Sequence, residues 1–299
     1  MSFVDGPVTV RVPATSANLG PGFDALGLAL DLCDEVSAEV AATGVDVAVQ
    51  GEGTAVARDE THLVVRAMYA GFQALGCKPP GLRLRCTNRI PHGRGLGSSA
   101  AAIVAGLHLA RRLVRDGTQG LPDAELFALA VRIEGHPDNV APCLAGGFTV
   151  AWVEDAAPRM LRLDVHPAVR PVVFVPPFEA STAQARGLLP PQVPHADAAA
   201  NAGRAALLVA ALTSAPQHLL AATADRLHQP YRASAMADSA ELVASLRAAG
   251  HAAVISGAGP TVLVLAAGSA EVDDLSDAGP SGWRTLALDI AAGAGFRPA

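Results

Sequence analysis

Lysine is almost missing from this 299-residue chain: Lys78 is the only one, and the other 21 of its 22 basic residues are arginine. Positive charge is short as well, with 22 basic against 28 acidic residues and a formal charge of −6. Such a balance excludes non-specific binding to nucleic acid, which needs a cationic face. No polybasic block is present to hold the chain on an anionic membrane. Long apolar runs are also lacking. The richest stretches, 100–110 and 252–267, are broken by His108 and by Ser256-Gly257, so none reaches the roughly 18 uninterrupted apolar residues of a membrane span. The four cysteines, Cys33, Cys77, Cys86 and Cys143, form no CxxC pair, which excludes a zinc or redox motif and leaves them as reduced, small core residues. No HExxH or paired-histidine spacing points to a transition metal. The opening Met1–Asp5 carries neither the basic nor the apolar region of a secretion signal, so the expected location is the cytoplasm.

What remains is a chain with 51% apolar and 17% charged residues, a composition that excludes global disorder. Its length suits about two domains. A composition shift at 154–159 places the boundary near there, giving domains 1–155 and 156–299. Strands are expected at 8–12, 26–30, 35–40, 45–50, 82–87 and 148–153 in the first half, and at 172–175, 252–255, 262–266 and 285–290 in the second. Helical periodicity covers 62–75, with Thr61 as its cap, then 98–115, 122–134 and a short helix opening at His136-Pro137. Further helices are expected at 182–188, 196–212, 217–227 and 239–249. The class is α+β.

The densest local signal is Pro91-His-Gly-Arg-Gly-Leu-Gly-Ser-Ser-Ala-Ala101. Gly93, Gly95 and Gly97 allow positive φ and close approach of a ligand to the backbone. The unpaired N–H groups of the helix that begins at Ser98 add a partial positive charge. Together they make an anion site suited to phosphates. A Walker A loop is excluded because the one lysine lies outside this segment, and a dinucleotide fingerprint because Ser98 stands where it needs glycine.

This string resembles the phosphate loop of the GHMP kinases. Two other segments resemble the family's first and third motifs: Val12-Pro-Ala-Thr-Ser-Ala-Asn-Leu-Gly-Pro-Gly-Phe-Asp-Ala-Leu-Gly27 and Ile255-Ser-Gly-Ala-Gly-Pro-Thr-Val262. Within the family, Ser16–Asp24, Glu134-Gly-His-Pro-Asp-Asn-Val-Ala-Pro-Cys143 and Ser181-Thr-Ala-Gln-Ala-Arg186 are similar to the homoserine kinase form. The resemblance implies an N-terminal domain like the second domain of ribosomal protein S5, a ferredoxin-like C-terminal domain and an active site in the cleft between. It implies a kinase that uses ATP and Mg²⁺ to phosphorylate the hydroxyl of L-homoserine on the route to threonine, and it leaves room for a homodimer. A kinase for another small alcohol, and a ligand-binding regulator that kept the fold and lost catalysis, are the alternatives.

Residue roles follow from the resemblance. Residues 91–101 (Pro91, His92, Gly93, Arg94, Gly95, Leu96, Gly97, Ser98, Ser99, Ala100 and Ala101) would cradle ATP. Ser99 and Glu134 would share the Mg²⁺, the carboxylate lying at the helix end the dipole disfavours. Arg186 and Arg232 would hold the α-carboxylate of homoserine and Asp24 its ammonium. Asn18, His136, Asn139 and Thr182 would line the hydroxyl end. Read alone, Asn18 and Asp24 also suit a tight turn, and neither arginine stands out among 21. At position 139, where mevalonate kinase and galactokinase carry an aspartate that can act as base, this chain has asparagine, which cannot take a proton at neutral pH. The expected mechanism has no dedicated general base, with Asp24 the competing candidate. The adenine pocket is expected near 62–68.

Overall fold

A computed structural model describes residues 2–296; Met1 and the last three residues lie outside it. The described chain forms two antiparallel-rich sheets with helices packed on them. In the first, the order is β11-β1-β2-β4-β3, with β5 and β6 joined to the near end of β2. Its strands are β1 (Val8–Ala17), β2 (Leu26–Ala41), β3 (Gly44–Gly51), β4 (Gly81–Asn88), β5 (Phe148–Glu154), β6 (Ala157–Leu163) and β11 (Gly295–Phe296).

Alternation sets the pleat. In β4, Leu82, Leu84 and Cys86 are buried while Arg83 and Arg85 face solvent, as a half-solvated strand requires. The two short strands expected at 26–30 and 35–40 are one. β2 runs through both because it changes partners along its length: its first residues pair with β5, its last with β4. An irregularity between Pro13 and Ala14 absorbs the bend.

The helix Ser98–Leu113 is buried on nearly all sides, not on one face. It lies between β1, the helix Leu63–Ala74 and the helices Asp123–Glu134 and Val140–Ala145. Alanine and glycine between its larger residues let these neighbours close in. Two helix starts differ from expectation. Thr61 is not the cap of Leu63–Ala74; its hydroxyl donates to Asp59 Oδ1 at 2.6 Å, and His62 takes the cap position. The third helix begins at Val140, because His136–Asn139 form a turn in which the Pro137 carbonyl accepts from Ala141 N at 2.8 Å.

The second sheet holds β7 (Val169–Val175), β8 (Ala253–Ile255), β9 (Val262–Ala267) and β10 (Arg284–Ala287) in the order β10-β7-β9-β8, antiparallel throughout. With the helices between β7 and β8, and Ser269–Leu275 between β9 and β10, this is the βαββαβ arrangement of a ferredoxin-like domain. The long helix expected at 217–227 is only the turn Leu219–Ala222, because the chain folds around Asp225. The boundary expected after residue 155 falls inside the β5–β6 hairpin, and the C-terminal residues return to pair with β1. Among the described residues, no helix is long and apolar enough to cross a membrane.

Phe72, on the buried face of the helix Leu63–Ala74, sits in the core edge-on to Phe3 at 5.9 Å. Phe72→Ala is expected to cost about 3–5 kcal/mol of stability, the range for a large aromatic removed from a packed interior. Urea unfolding should show a lower midpoint at unchanged slope.

Candidate active site

Three glycine-rich segments, far apart in sequence, meet backbone to backbone. Gly95 has φ +74°, and a Cβ there would fall 2.3 Å from the Ser256 carbonyl oxygen. The Ser256 hydroxyl donates to Gly95 O at 2.6 Å and lies 2.8 Å from Ser16 Oγ. Gly257 N donates to Ala17 O at 3.0 Å. Gly97, at φ +69°, is the residue before the Ser98 helix; a Cβ on it would sit 1.9 Å from Thr15 Oγ1. These approaches are open only to glycine. They aim the helix N-terminus into a cavity of about 220 Å³ between the two sheets' domains.

The cavity gathers residues from every motif. Asn18, Gly93, Arg94, Gly95, Gly97, Ser98 and Ser99 line it from one side, and Glu134, His136 and Asn139 from another. Thr182, Arg186, Arg232 and Gly257 complete the wall. Asp24 is held at its edge by a bidentate pair with Arg186, at 2.6 and 3.1 Å. Its backbone N–H donates to Asn18 Oδ1, and Asn18 Nδ2 donates to Gly257 O, each at 2.9 Å.

The phosphate-loop residues divide. Pro91, Leu96 and Ala100 are buried in the core and line neither this cavity nor the second one beside the loop. His92 and Ala101, with Ser98 and Ser99, face a second cavity of about 180 Å³ on the far side of the loop. Its other walls include Val12, Val36, Val56 and Leu63, and it reaches His62, whose buried Nδ1 has no partner among the described residues. Arg94 is engaged elsewhere. Its guanidinium donates to the carbonyls of His92, Pro176 and Pro177 at 2.8–3.0 Å and faces Glu179. It fastens the loop to the second domain.

Ser99 Oγ donates to Glu134 Oε1 at 2.6 Å. Burial raises the Glu134 carboxyl above its ordinary range, against the lowering effect of that bond. His136 is raised too, chiefly by its 2.6 Å hydrogen bond to Asp138. Asp138 is 2% exposed and lines the cavity. The sequence reading gave it no role, although its place two residues after His136 in the quoted motif was the available signal. Thr15 was missed as well; its hydroxyl donates to Asn139 Oδ1 at 2.8 Å and leaves the amide NH₂ of Asn139 free to donate.

Arg232 is almost wholly buried, 2% exposed. Its hydrogen bonds go to Ala185 O, Gly257 O and His228 Nδ1, at 3.3–3.4 Å, and Phe23 lies under it at 5.3 Å. Among the described residues it has no carboxylate within salt-bridge distance. Arg186 stands over the same ring at 5.6 Å.

Family models for the GHMP kinases match here, the N-terminal domain over residues 62–147 and the C-terminal one over 199–284. A homoserine kinase of Streptomyces avermitilis is 56% identical, over 99% of this chain and 98% of its own. The chain belongs to the homoserine kinases of the GHMP family. A second relative of that name, from Streptomyces coelicolor, is 59% identical over 89% of this chain and 86% of its own. The crystal structure of homoserine kinase from Cytophaga hutchinsonii matches with a TM-score of 0.84 and 27% identity, covering 99% of both chains. The fold is the two-domain GHMP kinase fold, and membership implies ATP as phosphoryl donor.

Gly97→Ala should raise the KM for ATP and lower kcat/KM by at least about 10²-fold, since a misplacement of roughly 1 Å at a reacting group costs that much. Steady-state kinetics with varied ATP would show it.

Proposed function

We propose that the enzyme transfers the γ-phosphoryl group of ATP to the side-chain hydroxyl of L-homoserine, giving O-phospho-L-homoserine and ADP. The observation that carries the site assignment is Arg232: a buried guanidinium with no carboxylate against it, beside the Asp24–Arg186 pair. Leaving a buried charge unpaired is costly, so the site is complementary to an anion. An amino acid supplies that anion together with the cation that Asp24 would accept. The α-carboxylate then belongs with Arg232 and Arg186, the ammonium with Asp24, and the hydroxyl reaches toward Asn139, His136 and Thr182. Such a pocket rejects analogues lacking either charge, because its own groups would be left unpaired.

The phosphates of ATP would lie on the backbone of residues 93–99. The second cavity would take the nucleoside, its apolar walls covering the base and His62 offering a hydrogen-bonding edge. Mg²⁺ fits the pair of hard oxygen donors at Ser99 and Glu134, which adjoin the loop; this ion is satisfied by one or two carboxylates plus phosphate oxygens and needs no all-protein cage. Bound there, it would neutralise charge on the phosphates.

The proton of the attacking hydroxyl has no side chain waiting for it. Asn139 cannot take it, since an amide is not protonated at neutral pH; its NH₂, left free by the Thr15 bond to its oxygen, can only donate. Asp24 has both carboxylate oxygens on Arg186. His136 is held toward its protonated form by Asp138, which suits it to meet phosphoryl oxygens as a donor. The proton therefore leaves late, to a phosphoryl oxygen. A loose transition state tolerates this, because the work lies in positioning and charge stabilisation.

The purified enzyme with ATP and Mg²⁺ should release ADP with L-homoserine and not with mevalonate, galactose, shikimate or L-threonine. Turnover with a different alcohol alone would discard the zwitterion pocket. Arg186→Ala should raise the KM for homoserine about 10–100-fold, the worth of a hydrogen bond to a charged group, with the KM for ATP little changed. Equal effects on both would remove Arg186 from the substrate pocket. Separately, Glu134→Gln should reduce kcat at least about 10²-fold, while ATP binding measured by calorimetry weakens less.

A further inference from the structure

His228 takes no part in the site as described, yet it joins the two halves of the substrate pocket. Its side chain is fully buried. Nε2 lies 2.8 Å from the carbonyl oxygen of Gly20, in the loop that carries Asn18 and Asp24. The same nitrogen is 3.5 Å from Asp225 Oδ2. Both neighbours only accept, so Nε2 carries the hydrogen. The other nitrogen, Nδ1, lies 3.3 Å from Arg232 NH1, which only donates. One ring thus has a fixed tautomer: donor to the loop, acceptor from the arginine. The Phe23 ring, 5.2 Å away, covers its face.

The segment that presents this ring is itself pinned. Asp225 Oδ1 accepts from Leu227 N at 2.8 Å, and Oδ2 accepts from Gln229 N at 2.7 Å. The backbone that sets His228 one turn before Arg232 is therefore rigid. Arg232 has no carboxylate to aim it, only two long bonds to carbonyls and this imidazole. An acceptor nitrogen can orient a guanidinium without neutralising it, whereas a carboxylate in that place would satisfy the charge and compete with the ligand.

We infer that His228 is a positioning residue for substrate recognition: its Nδ1 orients Arg232 toward the carboxylate of the amino-acid substrate and keeps the guanidinium charge available to it. The inference rests on Arg232 holding that carboxylate. Two replacements separate the bonds of the ring. In His228→Asn the amide oxygen stands where Nδ1 was and still accepts from Arg232, while the bond to Gly20 is lost. In His228→Gln the amide NH₂ reaches Gly20 as Nε2 did, and the acceptor for Arg232 is lost.

Kinetics with L-homoserine and with ATP varied in turn decide the matter. His228→Gln and His228→Ala should each raise the KM for homoserine about tenfold or more, as for a lost bond to a charged group, with kcat and the KM for ATP within about threefold of the parent. His228→Asn should stay close to the parent, and adding His228→Ala to Arg232→Ala should cost nothing further. The inference is overturned if Gln rescues and Asn does not, for then the ring serves only to tie down the loop. It is overturned equally if the KM values for ATP and homoserine move together, or if the two alanine losses multiply. An Arg232→Ala variant with an unchanged KM for homoserine would instead sink the carboxylate assignment beneath it.

Discussion

A cation in a protein interior is tolerated when its hydrogen bonds are made, and it is comfortable only when its charge is met. Arg232 has the first and lacks the second. Ala185 O, Gly257 O and His228 Nδ1 accept its hydrogen bonds, and none carries charge. Burial and the neighbouring Arg186 both press its pKa downward, though a guanidinium keeps its proton in proteins. The folded chain thus carries an electrostatic debt at one point, and the rest of the pocket is arranged around the ligand that settles it. Arg186 differs. It already holds Asp24, so its charge is met within the folded chain; in the proposed reading a substrate ammonium and carboxylate would compete for the two partners.

The second constraint is geometric. The phosphate loop can approach the third glycine loop only because Gly95 has no Cβ to strike the Ser256 carbonyl, and likewise the Thr15 hydroxyl can close on Gly97 only because Gly97 has none. These contacts bind the domains together as well as shaping the nucleotide cradle. The Arg94 bonds to Pro176 and Pro177 add to them. In the proposed reading, the second-domain residues Thr182, Arg186 and Arg232 would thereby be registered against the phosphates. If the proposed baseless transfer holds, that registration would be its main catalytic resource, with rate coming from holding hydroxyl and phosphoryl in line.

The parts visible in sequence are those whose chemistry is local. Glycines at 93, 95 and 97 before Ser98 announce an anion site because backbone freedom and a helix start are short-range properties. The alternation of 82–87 announces its own pleat. By contrast, nothing near Arg232 marks it among 21 arginines, since its meaning comes from Gly257 and Phe23, residues distant along the chain. The strand Ala157–Leu163 was missed because none of its residues is buried and its four partly buried ones, Ala157, Pro158, Met160 and Leu163, do not alternate, so it is held mainly by its pairing with β5. The helix expected at 217–227 failed for a related reason. Its apolar periodicity is real, but the Asp225 carboxylate gathers three backbone N–H groups and turns the chain.

Asp225 and His228 show how a departure from regular helix can serve the site. A continued helix through 227 would satisfy its backbone internally and carry His228 along its own axis. The turn instead leaves buried N–H groups that need a carboxylate, and Asp225, fully buried, supplies it. That carboxylate lies within 3.5 Å of Nε2 of His228, on the side away from Arg232. The Asp225 carboxylate is thus held off from Arg232 by a neutral ring, and it acts on the guanidinium, as Asp24 and Asp138 do, only at a distance. Placed directly against Arg232, it would form an ordinary buried ion pair, and the pocket would have less need of a substrate carboxylate. Interposing an imidazole keeps the geometry and withholds the charge.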